Sequence, residues 1–506
     1  MNTNKNFLML LMVLLNLHVA NAQSETFEDI LSVQIRNVGT IQNNDEVTGH
    51  YIFYKTEKLD RKTYSYKLSI MNQDLTVVKS IEKTGSKSLT LLESVYNGNS
   101  IMLKYLDISN KELEFEIYNS KGDLSYSKKI KISSFEIESI SQLKDNDNEL
   151  VSLGMSPISS NGFIDIAATK NKDYKYEVRY FDNTDLNKNW VIESPNTKGI
   201  ETANFITAND NKIVLSVIKR PSILSMKQKI YTTILNTKNG DILKEFDNEE
   251  IGNYQFFSGS TVDKNNINLI GNYFKKEDSA FKDYPAGMIS ITLTDNNELI
   301  DKRKSSFGRL IRGNSKDDNP GNLHFHDFIR TDKNKIYVVG EYFKKKADGF
   351  GIAAAAMGGS ASLVKLNIYD FVVAELDSSL KVQKVKIFDK KSHSVTLPPG
   401  SSFLGSALLG NYVKVLGGFD YSYTQIVKSE KPYFISTYFD RKDEKDKEPK
   451  FKIVSNIDGT FVEDAISLKT EADDISVSKA KSGFILITEY FKKEKKMSLR
   501  LEKINI

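Results

Sequence analysis

Cysteine is absent from the 506-residue sequence. That excludes a disulfide-stapled scaffold, a thiolate metal site and lipid attachment through an N-terminal cysteine. Stability must then come from core burial, which a chain of this length can supply. Tryptophan occurs once, at Trp190, so repeats that need a Trp-Asp pair in every unit are ruled out. Past the first residues, no apolar run approaches the roughly 20 residues a membrane-crossing helix needs. Charge of neither sign dominates. With 70 Lys and Arg against 66 Asp and Glu, the formal charge is +4, which gives no electrostatic basis for nucleic-acid binding. Gly-x-Ser-x-Gly, phosphate-loop and zinc-protease patterns are missing. Asp-rich turns such as Asp145-Asn-Asp-Asn148 lack the residue order of a calcium loop. No cofactor and no metal are expected.

What is present describes a folded, soluble chain, 40% apolar and 27% charged. Residues 1–22 read as a secretory signal. Lys5 precedes an uninterrupted apolar run over residues 7–15, and Ala20-Asn-Ala22 supplies a small-x-small cleavage site before Gln23. The run is too short to anchor in a bilayer. Residues 23–506 are expected to be exported, periplasmic or extracellular, with neither a lipid anchor nor a transmembrane segment.

One sentence is written three times in the chain. It stands at Ile336-Tyr-Val-Val-Gly-Glu-Tyr-Phe-Lys-Lys-Lys346, at Ile267-Asn-Leu-Ile-Gly-Asn-Tyr-Phe-Lys-Lys276 and at Phe484-Ile-Leu-Ile-Thr-Glu-Tyr-Phe-Lys-Lys493. Around each copy runs a common template: a short strand, a polar turn, a wholly apolar strand, a polar link, an alternating strand, a second turn and a last strand. First turns recur at Asn97-Gly-Asn99, Asp145-Asn-Asp-Asn148, Asn209-Asp-Asn211 and Asp332-Lys-Asn334. Second turns recur at Asn72-Gln-Asp-Leu75, Lys238-Asn-Gly-Asp-Ile242 and Asp377-Ser-Ser-Leu380. Asn, Asp and Gly tolerate the positive φ that tight hairpins require.

Apolar strands begin near Ile101, Leu150, Ile213, Ile267, Ile336, Tyr433 and Phe484, and a degenerate first copy surrounds Gly49-His-Tyr-Ile-Phe53. Most lie about 50 to 70 residues apart, with four strands per unit, which predicts an all-β fold, a β-propeller of eight blades. Strands apolar on both faces suit a blade held between two neighbours. Seven blades are the alternative, because residues 388–450 parse poorly. The leftover strand Phe27-Glu-Asp-Ile-Leu-Ser-Val33 is expected to complete the last blade and cover its edge. No long helix is expected. The alanines of Gly349-Phe-Gly-Ile-Ala-Ala-Ala-Ala-Met-Gly-Gly359 sit between helix-breaking glycines.

The Ala22-Gln23 junction and the Lys-, Asn- and Ile-rich composition look like those of exported Bacteroidota proteins. Together with Lys335-Ile-Tyr-Val-Val-Gly-Glu-Tyr-Phe-Lys344, Asp370-Phe-Val-Val373 and Gly417-Gly-Phe-Asp-Tyr-Ser-Tyr423, the chain resembles an uncharacterised Bacteroidota family of exported, propeller-like proteins. That resemblance extends over the mature chain. It implies fold and export and brings no catalytic residue.

In a propeller, links between second and third strands share one face with links between blades. The long insertions, at about 275–287, 304–322, 344–363, 390–421 and 441–450, all belong to these two kinds of link. They fall in three consecutive copies, so a binding face on blades five to seven is expected. Candidate ligand contacts are His324 and His326 with Asp327 on an innermost strand, Arg309 and Arg312 in a blade-to-blade link, and Tyr342 and Lys344 at the end of the repeated sentence. The histidine pair has metal-ligand spacing but no identifiable third ligand. The lysines double as solvated strand ends, and the Tyr-Phe rings double as core. The expected function is a binding or interaction module for a polysaccharide, a peptide or an envelope protein. The alternative is a carbohydrate-active glycosidase or lyase with carboxylates such as Asp327, Glu463 and Asp464 at the channel mouth. Catalysis is the less favoured of the two.

Overall fold

In the computed structural model, the described residues are 23–505 apart from 141–153, 308–321, 350–363, 398–404, 441–449 and short breaks of at most five residues elsewhere. Residues 1–22, which were expected to be a signal, Arg309, Arg312, residues 145–148 and the alanine insert after Gly349 lie outside them. Eight antiparallel sheets follow one another around a ring. The blades occupy residues 38–86, 89–131, 155–193, 200–247, 254–306, 322–396, 421–467 and 474–503, the last joined by Ser24–Phe27. The fold is the eight-bladed β-propeller that the repeat predicts.

Burial explains the strand patterns. The second strand of blade two, Ser100–Asp107, is buried at every position. The outermost strand of the same blade, Leu124–Lys131, is mostly exposed. Each gap between neighbouring blades is filled by one apolar cluster, as where Ile270 and Met288 of blade five meet Phe325, Val338 and Tyr342 of blade six. Closure is made by the N-terminal strand. Ser24 pairs with Arg500 and Phe27 with Met497, and Phe27 and Ile30 pack with Leu499, Ile52 and Tyr54 between blades eight and one. This strand is Ser24–Phe27, not the expected 27–33. The chain turns at Asp29 (φ 55°), and Leu31 and Ser32 then bond to Lys55 of blade one. Alternation alone does not reveal that change of partner.

Three further expectations need correction. The second strand of blade three is Gly162–Lys170, not a strand near Leu150. Asp165, buried within it and paired with Lys104 and Arg179, interrupts the apolar pattern that would have marked it. The link between blades two and three therefore runs over residues 132–154, so the elaborated face is not confined to blades five to seven. A helix does form, over Ser406–Val415. Finally, the lysines after Tyr342-Phe343 do not leave blade six. Its second and third strands continue as Lys335–Ala347 and Val364–Asp377, and His393–Thr396 pairs with the extension.

Candidate functional site in the central channel

After the fourth strand of blade six the chain pairs His393–Thr396 with the same blade, and before blade seven it places a helix over the propeller. This Ser406–Val415 helix is amphipathic. Leu409 and Val413, one turn apart, pack with Phe343, Leu366, Ile368, Leu397 and Phe419 on the extended part of blade six. Gly410 lies against His324. A β-carbon there would stand 2.8 Å from Nδ1 of the imidazole, so only glycine allows this approach. Leu408, Asn411 and Lys414 face the opposite way, into the channel.

A buried polar cluster ties the link down. Glu341, in the middle of the repeated sentence, is enclosed on the second strand of blade six. Its carboxylate accepts from the backbone N–H of Tyr421 at 2.9 Å and of Asp420 at 3.3 Å. Lys390 Nζ lies 3.1 Å from its Oε1, both side chains fully buried, and also reaches Asp420. His326 Nε2 is 2.9 Å from Glu341 Oε2. Burial, followed by the nearby Lys414 and Lys390 charges, holds the His326 pKa well below the usual imidazole range. The neutral ring therefore donates from Nε2. Burial works against the Lys390 charge, but the Glu341 and Asp420 carboxylates outweigh it and raise its pKa. His326 is the extra residue of a bulge between Phe325 and Asp327, which re-aims its ring against Tyr421, 4.5 Å away and stacked. His324 stacks on Phe419 at 4.7 Å.

Across the channel from the helix is a cavity of about 580 Å³, within the range of small-molecule sites. Blade three contributes Ser156, Ile166 and Tyr176, and blade four contributes Thr202, Asn204, Phe205, Ile206 and Ile218. Blade five adds Gln255, and the 132–154 link adds Glu136 and Ile140. The wall residues on the blades come from the beginnings of first and third strands or the later parts of second strands. In antiparallel blades these ends lie on one face, the same face that carries the long links. Lys104 in the wall pairs with Asp165, Lys175 with Glu201 at 3.0 Å, and Glu136 with Arg179 at 3.5 Å. Lys414 sits deep in the channel yet remains open to its solvent, and its ammonium approaches the His326 carbonyl at 3.4 Å. Enclosure lowers its pKa, against the pull of Asp327.

The structure brings His324, His326 and Asp327 together beneath the helix, where the two imidazoles support it from inside the core. Asp327 accepts from the Phe328 N–H at 2.8 Å and lies 3.5 Å from the Tyr421 hydroxyl. Tyr342 is buried between blades five and six and offers no surface to a ligand. Lys344 lies over the Tyr369 ring on the blade-six extension, 5.5 Å from its centroid. Glu463 and Asp464 lie on Thr460–Ser467, the outermost strand of blade seven, far from the channel axis. No cluster of three metal-ligating side chains occurs among the described residues, and no described helix is long and apolar enough to cross a membrane. Sequence reasoning missed Lys414, Asn411, Gln255 and Asn204. The 3- and 4-residue spacing of Leu409, Val413 and Asn411, Lys414 was a legible helical signal.

Fold and site thus define an eight-bladed propeller with a ligand-sized cavity in its channel, capped by a helix from its own blade-six-to-seven link. The chain belongs to a family of unknown function, DUF6770, which it matches over residues 1–505. No curated protein matches it. Solved structures similar to it include an oligogalacturonate lyase in complex with manganese (9% identity, 90% of this chain and 98% of that one, TM-score 0.37). The polysaccharide lyase Uly1 is similar at 11% identity, over 82% of this chain and 90% of that one, with a TM-score of 0.37. Prolyl oligopeptidase B from Galerina marginata is similar at 10% identity, over 92% of this chain and 54% of that one, with a TM-score of 0.39.

Proposed function

We propose that the protein is an exported binding module that holds a small ligand in its central channel, between the first strands of blades three to five and the Ser406–Val415 helix. One observation carries this reading: a cavity of about 580 Å³ opens on the elaborated face and is roofed by a helix fixed through a buried ionic cluster. A rigid ring of blades with function placed on its links is how such scaffolds acquire binding sites. The insertion between blades six and seven contributes the roof, and blades two to five contribute the wall. Among the described residues that line the cavity, Glu136 alone carries a carboxylate, and it is paired with Arg179; hydrolysis of a glycoside uses two carboxylates, so binding is preferred to turnover.

The test is a thermal-shift screen of saccharides, peptides and metabolites on the full mature chain and on Asn204→Trp. Asn204 is exposed on a first strand facing the channel, so the indole fills the cavity without entering the core. Ligands that stabilise the native chain and lose their effect on Asn204→Trp support the reading. Ligands that act equally on both place the binding site elsewhere and overturn it.

A further inference from the structure

We infer that the channel cavity takes an anionic saccharide, its acidic group seated on Lys414 and its hydroxyls on the amide side chains around it. The inference rests on the binding reading above and names the ligand class for the same site.

The charge balance of the wall comes first. Lys104, Lys175 and Glu136 each have an ion-pair partner within the protein. Among the described residues, Lys414 has no carboxylate within ion-pair distance, only the His326 carbonyl at 3.4 Å. Its ammonium is enclosed yet open to the cavity. An ammonium stripped of part of its water gains most from an anion that takes the place of that water. The two imidazoles behind it are held neutral by burial, so the positive charge of this wall is concentrated on one atom.

A second, independent feature points to hydroxyls. Gln255 is only 3% exposed and lines the cavity, and its Oε1 has no donor among the described residues. Asn272, directly opposite it in register, likewise has an unsatisfied Oδ1. A buried acceptor without a donor is costly; a turn of the Gln255 amide toward the cavity that it lines lets a ligand O–H remove that cost, which a bare anion cannot. Asn204 and Asn411 add amide groups on opposite sides of the space. Tyr176, Phe205 and Ile206 present the apolar surface on which the C–H face of a sugar ring rests. The ligand must therefore combine one negative group, several hydroxyl donors and an apolar face. An acidic peptide supplies the first feature and backbone N–H donors, but it lacks the vicinal hydroxyls suited to paired amides.

The experiment is calorimetric titration of the mature chain with four probes: a uronic-acid disaccharide, a sulfated disaccharide, the neutral disaccharide and tri-glutamate. The uronate or the sulfated sugar should bind, and the neutral sugar should bind at least tenfold more weakly. Lys414→Gln should lower the acidic sugar's affinity at least tenfold, and Gln255→Leu should weaken it severalfold, while Lys344→Gln on the blade-six extension leaves it unchanged. Whether uronate or sulfate prevails identifies the source of the negative charge. Equal binding of neutral and acidic sugar with no effect of Lys414→Gln overturns the anion assignment while leaving the channel as a binding site. Preference for tri-glutamate overturns the saccharide. Silence of all four probes, while other compounds still bind in a manner blocked by Asn204→Trp, also overturns it and leaves the channel reading standing.

Discussion

Replacing Glu341 with alanine should release the roof of the channel. The carboxylate satisfies two backbone N–H groups, those of Asp420 and Tyr421, together with His326 Nε2–H and the Lys390 ammonium. Removing it strands three neutral donors in a buried region and leaves Lys390 with Asp420. Each orphaned donor costs about 1–3 kcal/mol, and breaking a buried ion pair by deleting one partner costs about 3–5 kcal/mol. The chain has a cheaper escape, because residues 405–420 can undock while the eight blades stay closed. Those costs start at about 6 kcal/mol, and solvent entering the space left by the side chain recovers part of them, so local opening should become easier by at least about 3 kcal/mol. At 1.4 kcal/mol per decade, amide protection in the Ser406–Val415 helix should fall at least about 100-fold. Protection in Ile267–Tyr273-type strands of other blades should stay as it was. Hydrogen exchange followed by mass spectrometry reads both regions in one experiment, with Glu341→Gln, which keeps an acceptor oxygen, as the milder variant. Unchanged protection of the helix would refute the claim that this cluster holds the roof. Equal loss in every blade would show that the link is part of the global fold and not a docked cap.

Gly410→Ala gains about 1 kcal/mol of helix propensity but sets a β-carbon 2.8 Å from the stacked His324 ring; urea denaturation should show net loss, and a stabilised variant would contradict the close packing. His50 is fully buried, and neither ring nitrogen has a partner among the described residues; burial lowers its pKa to about 4. The folded state thus binds fewer protons than the unfolded state between pH 4 and 6.5, so stability is complete above pH 6.5 and declines toward pH 4, by about 3 kcal/mol in all. His50→Leu should flatten that limb in melts taken across the window, and an unaltered pH dependence would assign it to other groups. Phe27→Ala removes a ring packed 5.7 Å from Tyr54 at the seam between blades eight and one; a loss of about 3–5 kcal/mol is expected, and a loss below about 1 kcal/mol would show that the N-terminal strand does not secure closure.

The blades were legible because their causes are local. Polar turns such as Asn97-Gly-Asn99 and Asp377-Ser-Ser-Leu380 fall where the hairpins are, and the apolar second strands coincide with the buried ones. Where a buried charge replaced an apolar residue, as at Asp165, the pattern failed and a blade was entered too early. The site was less legible for a different reason. The sequence puts His324 and His326 on the innermost strand of blade six, where they lie, but their partners, Glu341, Lys390 and Phe419, come from three separate segments. Lys414 reaches the wall of blades three and four from a link that starts in blade six. No periodicity reports which sector of a ring a long link leans across. Tyr342 shows the converse: its place in a repeated motif reflected packing between blades, not contact with a ligand.

A crystal structure of residues 23–506 with a ligand from the thermal-shift screen tests the central claim most directly. The account predicts density in the channel between Asn204 of blade four and Lys414 of the helix. Density on the lysine-rich extension of blade six or on the outer rim, with the channel holding only water, would contradict it.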